Sequence, residues 1–149
     1  MTTLMLLNAI CLMPESLDNL PVRERYITAG SETVSVEVLE QLAIDECERV
    51  RRRVAENPQT PERILVHLAT DSDYDVRLSV AEHPATPPFV LEFLALDSCA
   101  DVRFGMAENP DTPLHILSVL AQDHNPFVAH RAKKTIGLVA PHTNGADAA

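Results

Sequence analysis

Hydrophobic and polar positions recur along the middle of the chain at one fixed spacing. Three blocks align without gaps, each running from Val-Arg through two spaced prolines to Leu-x-x-Leu-Ala and an aspartate, and they begin at Val50, Val76 and Val102. Consecutive blocks are separated by 26 residues, and six of the eleven prolines fall at the same two places of the period. Such self-similarity predicts a tandem repeat in which each copy packs on its neighbours.

Each repeat reads as two short helices. Apolar residues spaced by four, such as Val76 and Val80, predict one buried stripe on a first helix. The predicted first helices begin near Glu48, Tyr74, Ala100 and Pro126. An Asn-Pro or His-Pro pair should end them, because a residue before proline avoids the helical region. The second helix is expected to be capped by a threonine, followed by proline at its first position. These threonines are Thr60, Thr86 and Thr112.

Weaker copies flank the three regular ones. We align Val22-Arg23 with Val50-Arg51 by allowing a two-residue insertion around Gly30 to Ser35, and a further copy follows from Val128. Residues 1–21 are predicted to hold a capping helix over the apolar stretch Leu4 to Met13 and a linker. Residues 22–138 are predicted to form the helical repeat domain, and residues 139–149 a disordered tail.

The recurring pattern Val-Arg-x-x-Val-Ala-x-Asn-Pro-x-Thr-Pro, followed by Leu-x-x-Leu-Ala-x-Asp, resembles the leucine-rich repeat variant family over roughly residues 22 to 136. The repeats predict an all-α fold of about four helix pairs with a period of 26 residues. The resemblance implies that these pairs form a short right-handed α-solenoid. The resemblance implies that α-helices alternate with shorter 3₁₀-like helices. Some family members carry an iron–sulfur cluster on a cysteine-rich N-terminal segment, which is expected to be missing here.

Net charge and cysteine spacing limit the partners and metal sites that the sequence can be expected to have. With a net charge of −10 over 149 residues, the chain disfavours partners held through phosphates, so nucleic acid and anionic membranes are not expected. The apolar stretch before Pro14 is too short to span a bilayer. Cys11, Cys47 and Cys99 lack the close pairing of a zinc or cluster site and are expected to be free thiols. A cytoplasmic location follows from that expectation.

No catalytic pattern accompanies the repeats. The chain has no Gly-x-Ser-x-Gly motif and no phosphate-binding loop, and its four glycines are few for such loops. Scattered histidines, among them His83 in the place of an asparagine, are read as surface or helix-ending residues rather than as metal ligands. The sequence therefore predicts no enzyme, no cofactor and no metal.

Arginines and aspartates recur as ladders in equivalent positions. The ladder residues are Arg51, Arg77, Arg103, Asp71, Asp97 and Asp123. We expect each arginine to bind acids of its own or the adjoining repeat through forked hydrogen bonds. Asp71 precedes Arg77 by six residues, and Asp97 precedes Arg103 by six, so these are the expected pairs. An arginine stripe that grips the carboxylates of a ligand is the alternative.

Positions that vary between repeats are where a specific surface would be encoded. The candidate partner surface comprises Arg49, Arg52, Arg53, Leu78, Phe89, Phe104 and His115. At this spacing Phe89, Phe93, Phe104 and Phe127 are for the most part core candidates. Leu78, Phe89 and Phe104 are the residues to be checked for exposure.

The predicted function is non-catalytic binding of a protein or peptide along the curved repeat surface. Two alternatives stay open: an accessory protein of a redox or metallocluster system, and, ranked last, a helical-repeat nucleic-acid-binding protein. The identity of the partner and the oligomeric state also stay open.

Overall fold

A computed structural model describes Leu17 and residues 19–139, and this part of the chain is helical without any strand. The first helices of the pairs are α1 (Val22–Ala29), α3 (Glu48–Ala55), α5 (Tyr74–Glu82), α7 (Ala100–Glu108) and α9 (Pro126–Val139). The second helices are α2 (Val36–Leu42), α4 (Glu62–Leu68), α6 (Pro88–Leu94) and α8 (Leu114–Leu120). The all-α repeat of helix pairs is confirmed. Leu4 to Met13 and the tail after residue 139 lie outside the described residues.

Both members of every described pair are α-helices. The expected alternation with 3₁₀-like helices is therefore wrong for the described part of the chain. The second helices are nevertheless the shorter ones, with seven residues each. Helices of this length are marginal alone and are held by the apolar surface that they bury.

The chain divides into an N-terminal unit that ends at Leu94 and a C-terminal unit that begins at Ala95. In the N-terminal unit α1 packs on α3 and α3 packs on α5, while α2 and α4 each pack on the first helix of their own pair and of the next. In the C-terminal unit α9 packs on both α7 and α8. The same neighbour relations thus operate in both units.

The core of the N-terminal unit is built from the predicted stripes. Val50, Val54, Val76 and Val80 are fully buried on the first helices, as are the leucines Leu65 and Leu68 on α4. Burying one such side chain contributes about 1.5–3 kcal/mol, which is how stacking stabilises helices that are too short to persist alone.

The first repeat keeps the 26-residue period without an insertion, which corrects the alignment made from Val22-Arg23. Helix α1 spans Val22–Ala29, and adding 26 to each bound gives the bounds of α3, Glu48–Ala55. The residue equivalent to Arg51 is therefore Arg25, not Arg23.

The threonines before the second helices have a different role from the expected cap. The Thr60 hydroxyl donates to the Val54 carbonyl at 2.6 Å, and the Thr112 hydroxyl donates to the Met106 carbonyl at 2.8 Å. Each threonine is buried and closes the end of the first helix. The following proline precedes the helix instead of opening it, as Pro61 does before α4. A carbonyl that lacks an intrahelical partner at the helix end thus accepts a hydrogen bond from the threonine hydroxyl.

Replacing Thr60 by valine should lower the free energy of unfolding by about 1–2 kcal/mol, because the Val54 carbonyl would stay buried without its donor. Thr60→Ser keeps the hydroxyl and serves as the matched control, with a smaller loss. Urea denaturation followed by circular dichroism measures both. Equal stability of the valine variant and the wild type would contradict this assignment.

Candidate functional site

Three arginines hold aspartates twenty residues further along the chain in forked hydrogen bonds. Arg25 Nε and Nη2 lie 2.6 and 3.2 Å from the Asp45 carboxylate oxygens. The corresponding distances are 2.7 and 2.9 Å from Arg51 to Asp71, and 2.7 and 3.1 Å from Arg103 to Asp123. A planar guanidinium that meets both carboxylate oxygens makes a directional, charge-assisted contact.

The expected pairing of each arginine with the aspartate six residues earlier is wrong. The carboxylate of Asp71 faces Arg51, while Arg77 Nη1 donates to the Asp71 backbone carbonyl at 2.7 Å. Likewise Arg103 Nη1 donates to the Asp97 carbonyl at 2.6 Å. The arginine therefore ties the loop before its own helix to the loop that ends its own repeat.

These hydrogen bonds lower the pKa of the Asp71 and Asp123 carboxyls. The hydrogen bond from Arg103 lowers the pKa of the Asp123 carboxyl, against the opposing effect of burial. Burial raises the pKa of the Asp71 carboxyl, but hydrogen bonds from Arg51 and from the Asp73 amide outweigh it, so the net pKa is lowered. Both carboxylates are therefore held in the charged form.

The same aspartates also shape the turn that leads into the next repeat. An Oδ1 atom accepts the backbone N–H two residues later at Asp45, Asp71, Asp97 and Asp123, with N···O distances of 2.7 to 2.9 Å. This is an Asx turn, which starts the next first helix. One carboxylate thus fixes both a turn and an arginine, which explains why the aspartate recurs.

A second buried polar position links consecutive repeats and was missed from the sequence. Asn57 Nδ2 donates to the carbonyls of Ala29 and Ser31 at 2.6 and 2.9 Å. Three repeats later Thr135 Oγ1 donates to the Ala107 carbonyl at 2.6 Å. The available signal was the fixed 26-residue spacing of these polar residues.

His83 occupies this position in the third repeat. Its Nδ1 accepts the Ala85 N–H at 3.1 Å, which assigns the ring proton to Nε2, 3.0 Å from the Asn57 carbonyl oxygen. Its expected task of ending a first helix agrees with its place directly after α5. It binds the preceding repeat as well.

The predicted partner residues fall on both kinds of helix. In the N-terminal unit Arg49 and Arg52 are exposed on α3, with Arg53 and Leu78 half-buried on α3 and α5. Phe89 lies on a second helix, α6, and is 57% exposed. In the C-terminal unit Phe104 is half-buried on α7 and His115 is exposed on α8. Within each unit the predicted residues therefore lie on both first and second helices.

Arg52 and Arg53 share an acidic partner. Arg52 Nε lies 2.8 Å from Glu56 Oε1, and Arg53 Nη1 lies 3.2 Å from Glu56 Oε2. The Arg53 guanidinium also lies over the Tyr26 ring, 5.6 Å from its centroid. Arg49 has no ion pair with any described residue.

Exposed phenylalanines depart most from the sequence prediction. Phe93 and Phe127 are 55% and 75% exposed, so their expected place in the core is wrong. Phe89, a candidate for the partner surface, is 57% exposed. Phe89 and Phe93 are one turn apart on α6 and share a face. One repeat earlier the same positions hold Arg63 and His67, a polar column that could have indicated exposure.

No group of three or more potential metal ligands is found among the residues that the structure describes. Cys47 and Cys99 are free thiols that directly precede α3 and α7. Of the helices in the described part, none has the length and apolar character needed to cross a bilayer.

The family model for the leucine rich repeat variant matches twice in succession, at residues 48–73 and 74–98. The first match covers α3 and α4 and the second covers α5 and α6. The resemblance drawn from the motifs is therefore confirmed over residues 48–98. No curated protein matches the chain significantly, and no solved structure does.

Arg103→Leu should destabilise the protein by about 2–3 kcal/mol, because it leaves a buried carboxylate without its charged donor. The side chains of Arg103 and Asp123 are only 5% and 6% exposed. Arg49→Ala, at an exposed arginine of another first helix, is the control and should change stability by less than about 0.5 kcal/mol. Chemical denaturation measures both, and equal losses would contradict the structural importance of the fork.

Stability should fall in acid partly through Asp71 and Asp123. Because folding lowers the pKa of both carboxyls, their contribution is present above the unfolded pKa, near 4, and is lost as the pH falls through the folded value. Asp123→Asn keeps the turn acceptor but removes the charge. Urea denaturation at several pH values below about 5 should show a weaker pH dependence for this variant than for the wild type. An unchanged slope would contradict the prediction.

Proposed function

We propose that this protein is a non-catalytic repeat scaffold that binds a protein or peptide partner. The observation that carries the proposal is the pair Phe89 and Phe93, each more than half exposed on one face of α6. Aromatic side chains on a rigid helix are the residues that most often anchor a protein partner, because they bury a large area at low entropic cost.

The geometry of the repeat supports this use of its surface. The recurring polar side chains hold the protein's own loops in place. Arg51 binds the Asp71 carboxylate, while Asp71 and Asn57 form hydrogen bonds with backbone groups. We assign the arginine and aspartate ladder to the stability of the repeats. The surface left for a partner is then the set of exposed positions that differ between repeats.

We further propose a cytoplasmic location. The free thiols Cys47 and Cys99 are partly exposed and suit a reducing compartment. Within the N-terminal unit the proposed partner surface contains Phe89 on α6, and Arg49 and Arg52 on α3 are further candidates there. In the C-terminal unit His115 is a separate candidate.

The test replaces Phe89 by a photo-crosslinking aromatic amino acid in the full chain inside its native cell. We expect one specific protein adduct on irradiation, identified by mass spectrometry. The matched control carries the same group at Glu62, the exposed first residue of α4. Phe93→Ala should lower the affinity for the captured protein by about tenfold or more with little change in stability.

The same adducts from both positions, or no adduct from Phe89, would count against the proposal. Efficient turnover of a small molecule by the purified protein would overturn its non-catalytic part.

A further inference from the structure

Two exposed arginines occupy equivalent positions on stacked helices of the N-terminal unit. Arg23 on α1 and Arg49 on α3 are one period apart, and neither makes an ion pair with any residue in the described part of the chain. Helices α1 and α3 pack directly on each other. Packed helices lie about 8–10 Å apart, so the two guanidinium groups repeat at about that interval.

The charge changes sign at the next step of this row. One period after Arg49 comes Asp75 on α5, which packs on α3. Asp75 is half-buried and helps to raise the pKa of Arg52, so its charge acts on the same face. The row across α1, α3 and α5 therefore reads positive, positive, negative.

Apolar and aromatic groups flank the row one helical turn further on. Tyr26 on α1 is 38% exposed, and Leu78 on α5 is half-buried. Arg52 lies between them on α3. A strip of this kind offers ring and aliphatic surfaces beside charges, as grooves that recognise polyproline II segments do.

We propose that this row, Arg23, Arg49 and Asp75 with Tyr26 and Leu78 beside it, binds a proline-rich acidic segment in the polyproline II conformation. A polyproline II helix advances about 3.1 Å per residue with three residues per turn, so every third side chain faces one surface at intervals of about 9.3 Å. That interval matches the spacing of packed helices. The segment carries an acid at the first position, an acid at the fourth and a base at the seventh.

Sparse carboxylates fit this surface better than a nucleic acid does. Glu48 is exposed on α3 directly before Arg49, so a polymer with a charge on every residue would meet repulsion beside that arginine. A peptide with an acid at every third position meets the arginines alone. This inference rests on the proposed binding function and names the chemistry of one ligand.

The experiment titrates the isotope-labelled full chain with a synthetic peptide, Asp-Pro-Pro-Asp-Pro-Pro-Lys-Pro-Pro, and follows amide chemical shifts. The comparison peptide has the same composition with the two acids adjacent. We expect shifts centred on α1, α3 and α5, and an affinity for the first peptide about tenfold above that for the second.

Three variants test the assignment of individual residues. Arg23→Ala and Arg49→Ala should each weaken binding about two- to fivefold, as exposed ion pairs do. A third peptide, Asp-Pro-Pro-Asp-Pro-Pro-Asp-Pro-Pro, should bind the wild type more weakly than the lysine peptide does. Asp75→Lys should reverse this order. The control is Arg63→Ala on α4, whose partner Glu40 lies 2.7 Å away in the other helix layer. It should leave the affinity unchanged.

Equal binding of the two peptides, or binding that survives both arginine variants, would overturn the inference. A single-stranded oligonucleotide that binds this row more tightly than the peptide would also overturn it. If crosslinking from Phe89 captures a partner while the peptides fail, the proposed function stands and this ligand assignment alone is wrong. If neither experiment yields binding, both fail.

Discussion

The length of the helices is the constraint on which the rest of the structure depends. The second helices have seven residues, and the first helices α1, α3, α5 and α7 have eight or nine. A single helix this short buries too little to offset the entropy of ordering its backbone. Each helix is therefore stable only in contact with its own partner and the neighbouring repeat. The fully buried Val50, Val54 and Leu65 provide that contact, and their positions set the period.

Short helices also leave many backbone groups unpaired, and the recurring polar residues satisfy them. The first and last turns of any helix carry free N–H and C=O groups. In this protein the Thr60 hydroxyl and the Asn57 amide donate to carbonyls at helix ends, and the Asp71 carboxylate accepts an amide at the start of the next helix. The same kind of hydrogen bond recurs in other repeats although the residue differs. His83 donates to a backbone carbonyl through its imidazole, and Thr135 does so through its hydroxyl.

Periodicity predicted the helices well because burial acts on every copy in the same way. It predicted side-chain pairing poorly, because an aspartate such as Asp71 recurs at both six and twenty residues from successive arginines, and only the path of the chain distinguishes the two. Arg25 was missed because a local Val-Arg match outweighed the exact 26-residue spacing. The exposure of Phe93 was missed because a phenylalanine was expected in the core. The equivalent position one repeat earlier holds the polar His67, which indicates an exposed position.

The outer side of α9, the last helix that the structure describes, is explained by the same packing logic. Ala55 and Ala107 are fully buried, and each lies on a first helix that the following first helix of its unit covers. On α9 the equivalent position is Lys133, which is exposed. Another first helix stacked there would bury an ammonium group without a counter-charge, at a cost of several kcal/mol. The lysine thus makes the outer side of α9 a surface that faces water.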